Sequence, residues 1–307
     1  MSAYSIFSKV KLPNGEFYPV YISALSKFMR RCMLNEAFYC ANQLYLSGFQ
    51  ETEVGEKDRW LINKKIQKNF RTRTVNRITV ALLEDNTPSC GWVIIQLEHL
   101  SSIIRNSYNN NEIDYQVIHL LWEIMSKICN GSKSRLMQHI RELGVDSLVV
   151  SIESIKNTKK QMLLYESFNI NNPEYPIWAD KIYKAAKNIF KEEKKPIVLV
   201  AAIIMIKYSK YCDNVPLSYW DKFEISGVID IELNKPDLSK YPWIFDKHVH
   251  RSLIPKNLSS NLCPKGWKNF IDNEEAECSM RESDIISNDI LCQELKKKYA
   301  IVRISQD

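Results

Sequence analysis

Apolar residues in the first part of the chain recur every three or four positions. They stand at Ile22, Leu25, Phe28, Met29, Ala37, Phe38, Ala41, Leu44 and Tyr45. This spacing places them on one face of an α-helix, so it predicts two adjoining amphipathic helices. We expect the first helix over about 20–31, directly after Pro19, and the second over about 36–47, with Asn35 as its N-cap and Gly48 as its terminator.

Helical patterns of the same kind continue to about residue 212. Further helices are expected over about 59–70, 74–85, 90–104, 115–130, 133–143, 177–193 and 196–211. Asp58, Thr72 or Thr74, and Asp114 are suited to cap three of them. Only 8 of the 307 residues are glycine, which disfavours a turn-rich β architecture. The predicted fold class is therefore mostly α, a multi-helix bundle with an irregular C-terminal tail, and 145–170 stays open between strand and helix.

Three segments are predicted along the chain. Residues 1–18 form an N-terminal arm with a turn at 13–15, residues 19–212 form the helical bundle, and residues 213–307 form an irregular tail that packs on the bundle and ends in a candidate strand. The longest apolar run, 197–206, is too short to cross a bilayer, so a buried core helix is predicted and no membrane partner. The N-terminus lacks a signal-peptide pattern, and an intracellular, cytoplasmic or nuclear protein is expected.

The charge balance permits a nucleic-acid partner without requiring one. A net charge of +6 is spread over 42 basic and 36 acidic residues, so only local clustering would create a basic surface. The eight cysteines are scattered singly, with no C-x-x-C pair, which indicates reduced thiols and no zinc finger. No cofactor is predicted.

One basic stretch is a candidate nucleic-acid contact. Its members are Lys64, Lys65, Lys68, Arg71, Arg73 and Arg77. Cations at this density neutralise phosphates, and the interleaved Trp60 and Phe70 are candidates to stack on an unpaired base. The alternative is a solvated helix face, with the aromatic residues on its buried side.

A second cluster lies in the tail. It consists of Asp246, Lys247, His248, His250 and Arg251. In an extended segment His248 and His250 would share a face and could ligate a metal, or one of them could act as a general base. The other histidines are remote in sequence, so no metal site is predicted, and a structural or partner-binding cluster is the default interpretation.

Two weaker signals are open to plain readings. Glu84 and Asp85 could bind Mg²⁺ or serve as acid and base, but no further carboxylate accompanies them, and an ion pair with a helical arginine is the simpler alternative. Lys133 and Ser134 follow one glycine without the spacing of a phosphate-binding loop, so an ordinary helix cap is expected there. No ATPase core and no catalytic residue are predicted.

Residues 20–140 nevertheless carry three motifs in the order of a known family. The segment resembles the C-terminal, collar-type helical domain of the RarA/MgsA/Werner-interacting group of AAA+ ATPases, which are relatives of clamp loaders. The matching positions are Ile22, Ser23, Ala24, Leu25, Lys27, Arg30, Ala37 and Tyr39, then Arg77, Glu84 and Asp85, and finally Lys133 and Ser134. Asn86 stands near the glycine that the family has.

The resemblance implies a clamp-loader collar-like bundle that mediates oligomerisation and positions partners on DNA. The ATPase part of the family has no counterpart in this sequence, so ATP hydrolysis is not implied. We therefore expect a non-enzymatic accessory factor of DNA replication, recombination or repair that acts through oligomerisation and through contacts with a replication-protein partner or with DNA. The alternatives are a nucleic-acid-processing enzyme that uses the tail cluster, and a structural or assembly protein, for instance of a virus.

Overall fold

The computed structural model describes residues 10–12, 14–49, 64–86, 92–107, 113–131, 170–171, 173–193, 196–207, 234–241, 244–245 and 253. Seven α-helices lie in this part of the chain. They are α1 (Tyr18–Arg30), α2 (Leu34–Leu46), α3 (Lys64–Asp85), α4 (Val93–Asn106), α5 (Tyr115–Asn130), α6 (Ala179–Glu193) and α7 (Pro196–Lys207). A short 3-10 turn follows at Leu238–Lys240. The prediction of a mostly α fold is confirmed.

The helices belong to two compact units. The first unit contains α1, α2, residues 64–78 of α3, residues 100–106 of α4, and α5, together with the described tail residues. The second contains residues 79–85 of α3, residues 93–99 of α4, α6 and α7. The helix predicted over 133–143, the open segment 145–170 and the candidate strand at the C-terminus lie outside the described residues.

The core of the first unit is built by α1, α2 and α5, which pack against one another. The repeating apolar residues of α1 and α2 are buried as their spacing predicts, except that Ile22 is half-buried. The ring of Phe38 on α2 meets Trp122 on α5 edge to face, with centroids 5.0 Å apart. Burial of these rings removes a large apolar area from water, which is the main favourable contribution to folding.

The first two helices begin earlier than predicted. Helix α1 starts at Tyr18 and takes Pro19 into its first turn, where the missing N–H costs no hydrogen bond. Helix α2 starts at Leu34, and its N-cap is Met33, which offers no side-chain bond, so the prediction of Asn35 as the cap is wrong. Asp114 does cap α5, since its carboxylate accepts from the Gln116 N–H at 2.9 Å.

Helix α3 corrects a larger error. The expected break between two helices near residues 71–74 does not occur, because the chain runs as one helix from Lys64 to Asp85. The sequence makes Thr74 a candidate cap, but its hydroxyl donates to the carbonyl of Phe70 at 3.0 Å, four residues earlier. This back-bonding satisfies the threonine inside a continuous helix.

Segments before and after the helices pack on α1. A short hairpin turns at Gly15, whose φ of +83° suits glycine, and Asn14 donates to the Tyr21 hydroxyl at 2.7 Å. In the tail, Lys235 pairs with Glu16 at 2.8 Å. The Ser23 hydroxyl donates to the carbonyl of Ile244 at 2.7 Å in a buried position, so residues distant in sequence close over the same helix.

The second unit centres on the packing of α6 against α7. Helix α6 is amphipathic, with Ile182, Ala186 and Ile189 buried and Lys181, Lys184 and Lys191 exposed. Every α7 side chain that the structure describes is buried, in agreement with the predicted core helix. None of the helices in the described part of the chain has the length and apolarity needed to span a bilayer.

Candidate nucleic-acid interface

Helix α3 contains all six residues of the predicted basic contact. From Lys64 to Leu83 its sequence has six cationic residues and no acidic one, and the first carboxylate is Glu84. Lys64, Lys65 and Lys68 lie in the first two turns of the helix. All six cationic residues therefore belong to one helix, within the 14 residues from 64 to 77.

Arg71 is an internal residue rather than part of an exposed array. Its side chain is 2% exposed, Nε and Nη2 donate to the carbonyl of Gly48 at 3.2 and 3.0 Å, and Nη1 donates to the carbonyl of Ser107 at 3.3 Å. The guanidinium carbon lies 3.5 Å from the centre of the Phe49 ring, in stacking position. This guanidinium is not open to an external phosphate in the structure.

The two carbonyls that Arg71 binds come just after helix ends. Gly48 follows the last turn of α2, and Ser107 directly follows α4. Each of these ends also carries a serine hydroxyl, Ser47 or Ser107, that donates to a carbonyl three residues back. A buried cation near two helix C-termini interacts favourably with both dipoles, so Arg71 joins α2, α3 and α4.

Arg73 and Arg77 are half-buried and are held by residues of α1. Arg73 is hydrogen-bonded to the hydroxyl of Tyr18, and Nε of Arg77 donates to the hydroxyl oxygen of Ser26. Burial raises the pKa of Tyr18 from 10.0 to about 12, although both arginines pull it down. The phenol therefore stays neutral at physiological pH and leaves the positive charge of Arg73 in place.

The aromatic residue within this array is closed to a ligand. Phe70 is 1% exposed, and its ring centre lies 4.9 Å from that of Tyr18. It belongs to the core of the first unit, so the prediction that Phe70 stacks on a base is wrong. Trp60 lies outside the described residues.

The other predicted constellations receive no site geometry. Asp246, Lys247, His248, His250 and Arg251 lie outside the described residues, as do Lys133 and Ser134. Asp85 is buried and Glu84 half-buried at the end of α3. No group of three histidine, cysteine, aspartate or glutamate side chains in the described ranges is placed to hold a metal ion. Cys32, Cys40 and Cys129 are free thiols, as predicted for these three residues.

The residues that hold the arginines were not anticipated as part of a site. Tyr18 is the last residue of the predicted N-terminal arm, and Ser26 is an ordinary serine within a predicted amphipathic helix. One feature of the sequence points to such a role: Ser23 and Ser26 stand among apolar residues of α1. Hydroxyls in a buried stripe need hydrogen-bond partners. Ser23 meets Ile244, and Ser26 meets Arg77, which lies 51 residues away in sequence.

No protein-family model, curated protein or solved structure matches this chain significantly. The resemblance to the collar-type domain therefore stays a prediction from its motifs.

Proposed function

We propose that the protein is a non-enzymatic accessory factor of DNA replication, recombination or repair, and that it contacts the DNA backbone through α3. The role in DNA replication, recombination or repair is inferred from the resemblance of residues 20–140 to a collar domain. The same resemblance implies a homo-oligomer or a replication-protein partner. The contact is supported by the charge of α3, in which six cationic residues, one of them the internal Arg71, precede the first acidic residue, Glu84.

The contact residues in this proposal are Lys64, Lys65, Lys68, Arg73 and Arg77. Arg71 is removed from the set because its guanidinium is buried among backbone carbonyls. With Phe70 also buried, the array offers charge and no open aromatic face among the described residues. Such a surface favours the phosphates of any sequence, so we expect sequence-independent binding that weakens steeply as salt rises.

The test compares two triple variants that remove the same charge from different helices. Lys64, Lys65 and Lys68 are changed to Gln on α3, and the control changes Lys181, Lys184 and Lys191, which are exposed on α6. Binding of a short fluorescent DNA duplex is measured over a range of salt. For the α3 variant the slope of log K against log salt should fall by up to about 2.7, because each phosphate contact contributes about 0.9.

The control variant should keep the wild-type slope. Equal losses in the two variants would mean that net charge alone attracts DNA, and the α3 contact would then be wrong. Absence of duplex binding by the wild type at low salt would overturn the proposed function. Light scattering with and without DNA tests the oligomer in the same samples.

A further inference from the structure

One guanidinium of α3 is aimed by a chain of two hydrogen bonds. The Ser26 hydroxyl donates its proton to the carbonyl of Ile22 at 3.2 Å, and its oxygen accepts from Nε of Arg77. Ser26 is 3% exposed, so its hydroxyl is held inside the fold while the Arg77 side chain is half-buried above it. The direction of both bonds fixes the rotamer of Ser26 and the plane of the Arg77 guanidinium.

The bond to Ser26 orients Arg77 without neutralising it. A serine hydroxyl carries no charge, in contrast to the carboxylate that commonly pairs with a partly buried arginine. Arg73 stands one helical turn away, and the two guanidinium groups act on the same Tyr18 phenol, so two positive charges are held close together.

The bond also engages one particular edge of the guanidinium. It uses Nε and neither of the two terminal nitrogens. Nη1 and Nη2 form a fork that fits two oxygens of one phosphate, whereas a lysine ammonium offers only a point charge. An arginine fixed at Nε is therefore prepared for an end-on contact with a phosphate.

We propose that Arg77 binds one backbone phosphate of DNA through Nη1 and Nη2, and that Ser26 is the positioning residue that aims it. This inference rests on the proposed function and adds to it a specific contact and a residue on α1. The contact depends on a fork of fixed orientation, so the positive charge of residue 77 is necessary and not sufficient.

The decisive variant is Ser26→Ala in the full-length protein, tested on the same labelled duplex. It removes the orienting bond and keeps every charge. The duplex should bind about two- to tenfold more weakly, because the Arg77 side chain must then be immobilised on binding. The salt slope should not change, because the number of phosphate contacts stays the same. Arg77→Gln removes the contact, and its slope should fall by about 0.9.

A double-mutant cycle separates positioning from a general structural effect. In an Arg77→Lys background there is no guanidinium fork for Ser26 to orient. Adding Ser26→Ala to that variant should therefore cause no further loss of affinity. An equal loss in both backgrounds would show that Ser26 acts through the fold, and the inference would be wrong. Circular dichroism and thermal melting check that each variant is folded.

Arg77→Lys alone provides a second test that leaves α1 intact. It keeps the charge but lacks the planar fork that bonds a phosphate through two nitrogens, so we expect weaker binding with the wild-type salt slope. If Ser26→Ala and Arg77→Lys bind like the wild type while the α3 lysine variant binds poorly, the inference fails and the proposed function stands. If the wild type binds no duplex, both fail.

Discussion

The internal role of Arg71 leads to a quantitative prediction about stability. Arg71→Met keeps much of the aliphatic volume and removes the donors to the Gly48 and Ser107 carbonyls, both in buried residues. A buried acceptor that loses its donor costs about 1–3 kcal/mol. Two such carbonyls give an expected loss of about 2–5 kcal/mol in the free energy of unfolding, since the relieved desolvation of the arginine offsets part of the total.

Urea unfolding followed by circular dichroism measures this loss as a lower midpoint. Arg77→Met is the matched control, because that half-buried residue makes one bond to Ser26, and we expect a cost of less than about 1 kcal/mol. Arg71→Lys should be intermediate, since an ammonium keeps the charge but lacks the planar fork that reaches both helix ends. A midpoint for Arg71→Met that lies within error of the wild type would refute the structural role.

Two further predictions concern α1. Ser23→Ala removes the bond to the Ile244 carbonyl and should lower the free energy of unfolding in urea by about 1 kcal/mol. Hydrogen exchange at residues 238–241 should become faster, and unchanged exchange would contradict the idea that this bond holds the tail on α1. The raised pKa of Tyr18 means that the unfolded chain loses this proton near pH 10 and the folded protein near pH 12. Its contribution is thus fully present below about pH 10 and is lost as pH rises to about 12, a change of about 2–3 kcal/mol that Tyr18→Phe should lack if the residue is responsible.

Features encoded by local spacing were predictable from the sequence. The apolar stripes of α1 and α2, the core helix α7 and the Asp114 cap all depend on residues within a few positions of one another. The continuity of α3 was not predictable from the sequence. A threonine can cap the start of a helix or bond back to a carbonyl within one, and tertiary packing decides between the two at Thr74.

The different roles of the arginines on α3 could not be predicted from the sequence either. The partners of Arg71 lie 23 and 36 residues away, and the partner of Arg77 lies 51 residues away. Six similar cations in one stretch predict a basic helix, but no local pattern tells which of them turns toward a carbonyl of another helix. A charge count therefore overestimates what this helix offers to a phosphate.

The use of each guanidinium nitrogen separates the two roles on α3. Arg71 and Arg77 are six positions apart, which turns the helix through about 600° and points the side chains toward different neighbours. At Arg71, Nε and both terminal nitrogens donate to backbone carbonyls, and the ring of Phe49 covers one face. At Arg77 the bond to Ser26 engages Nε. An arginine whose nitrogens are all bonded inside the fold contributes stability, whereas one that is oriented through Nε alone keeps its terminal nitrogens for an anion. Substitutions at 71 should therefore affect unfolding, and substitutions at 77 should affect DNA binding.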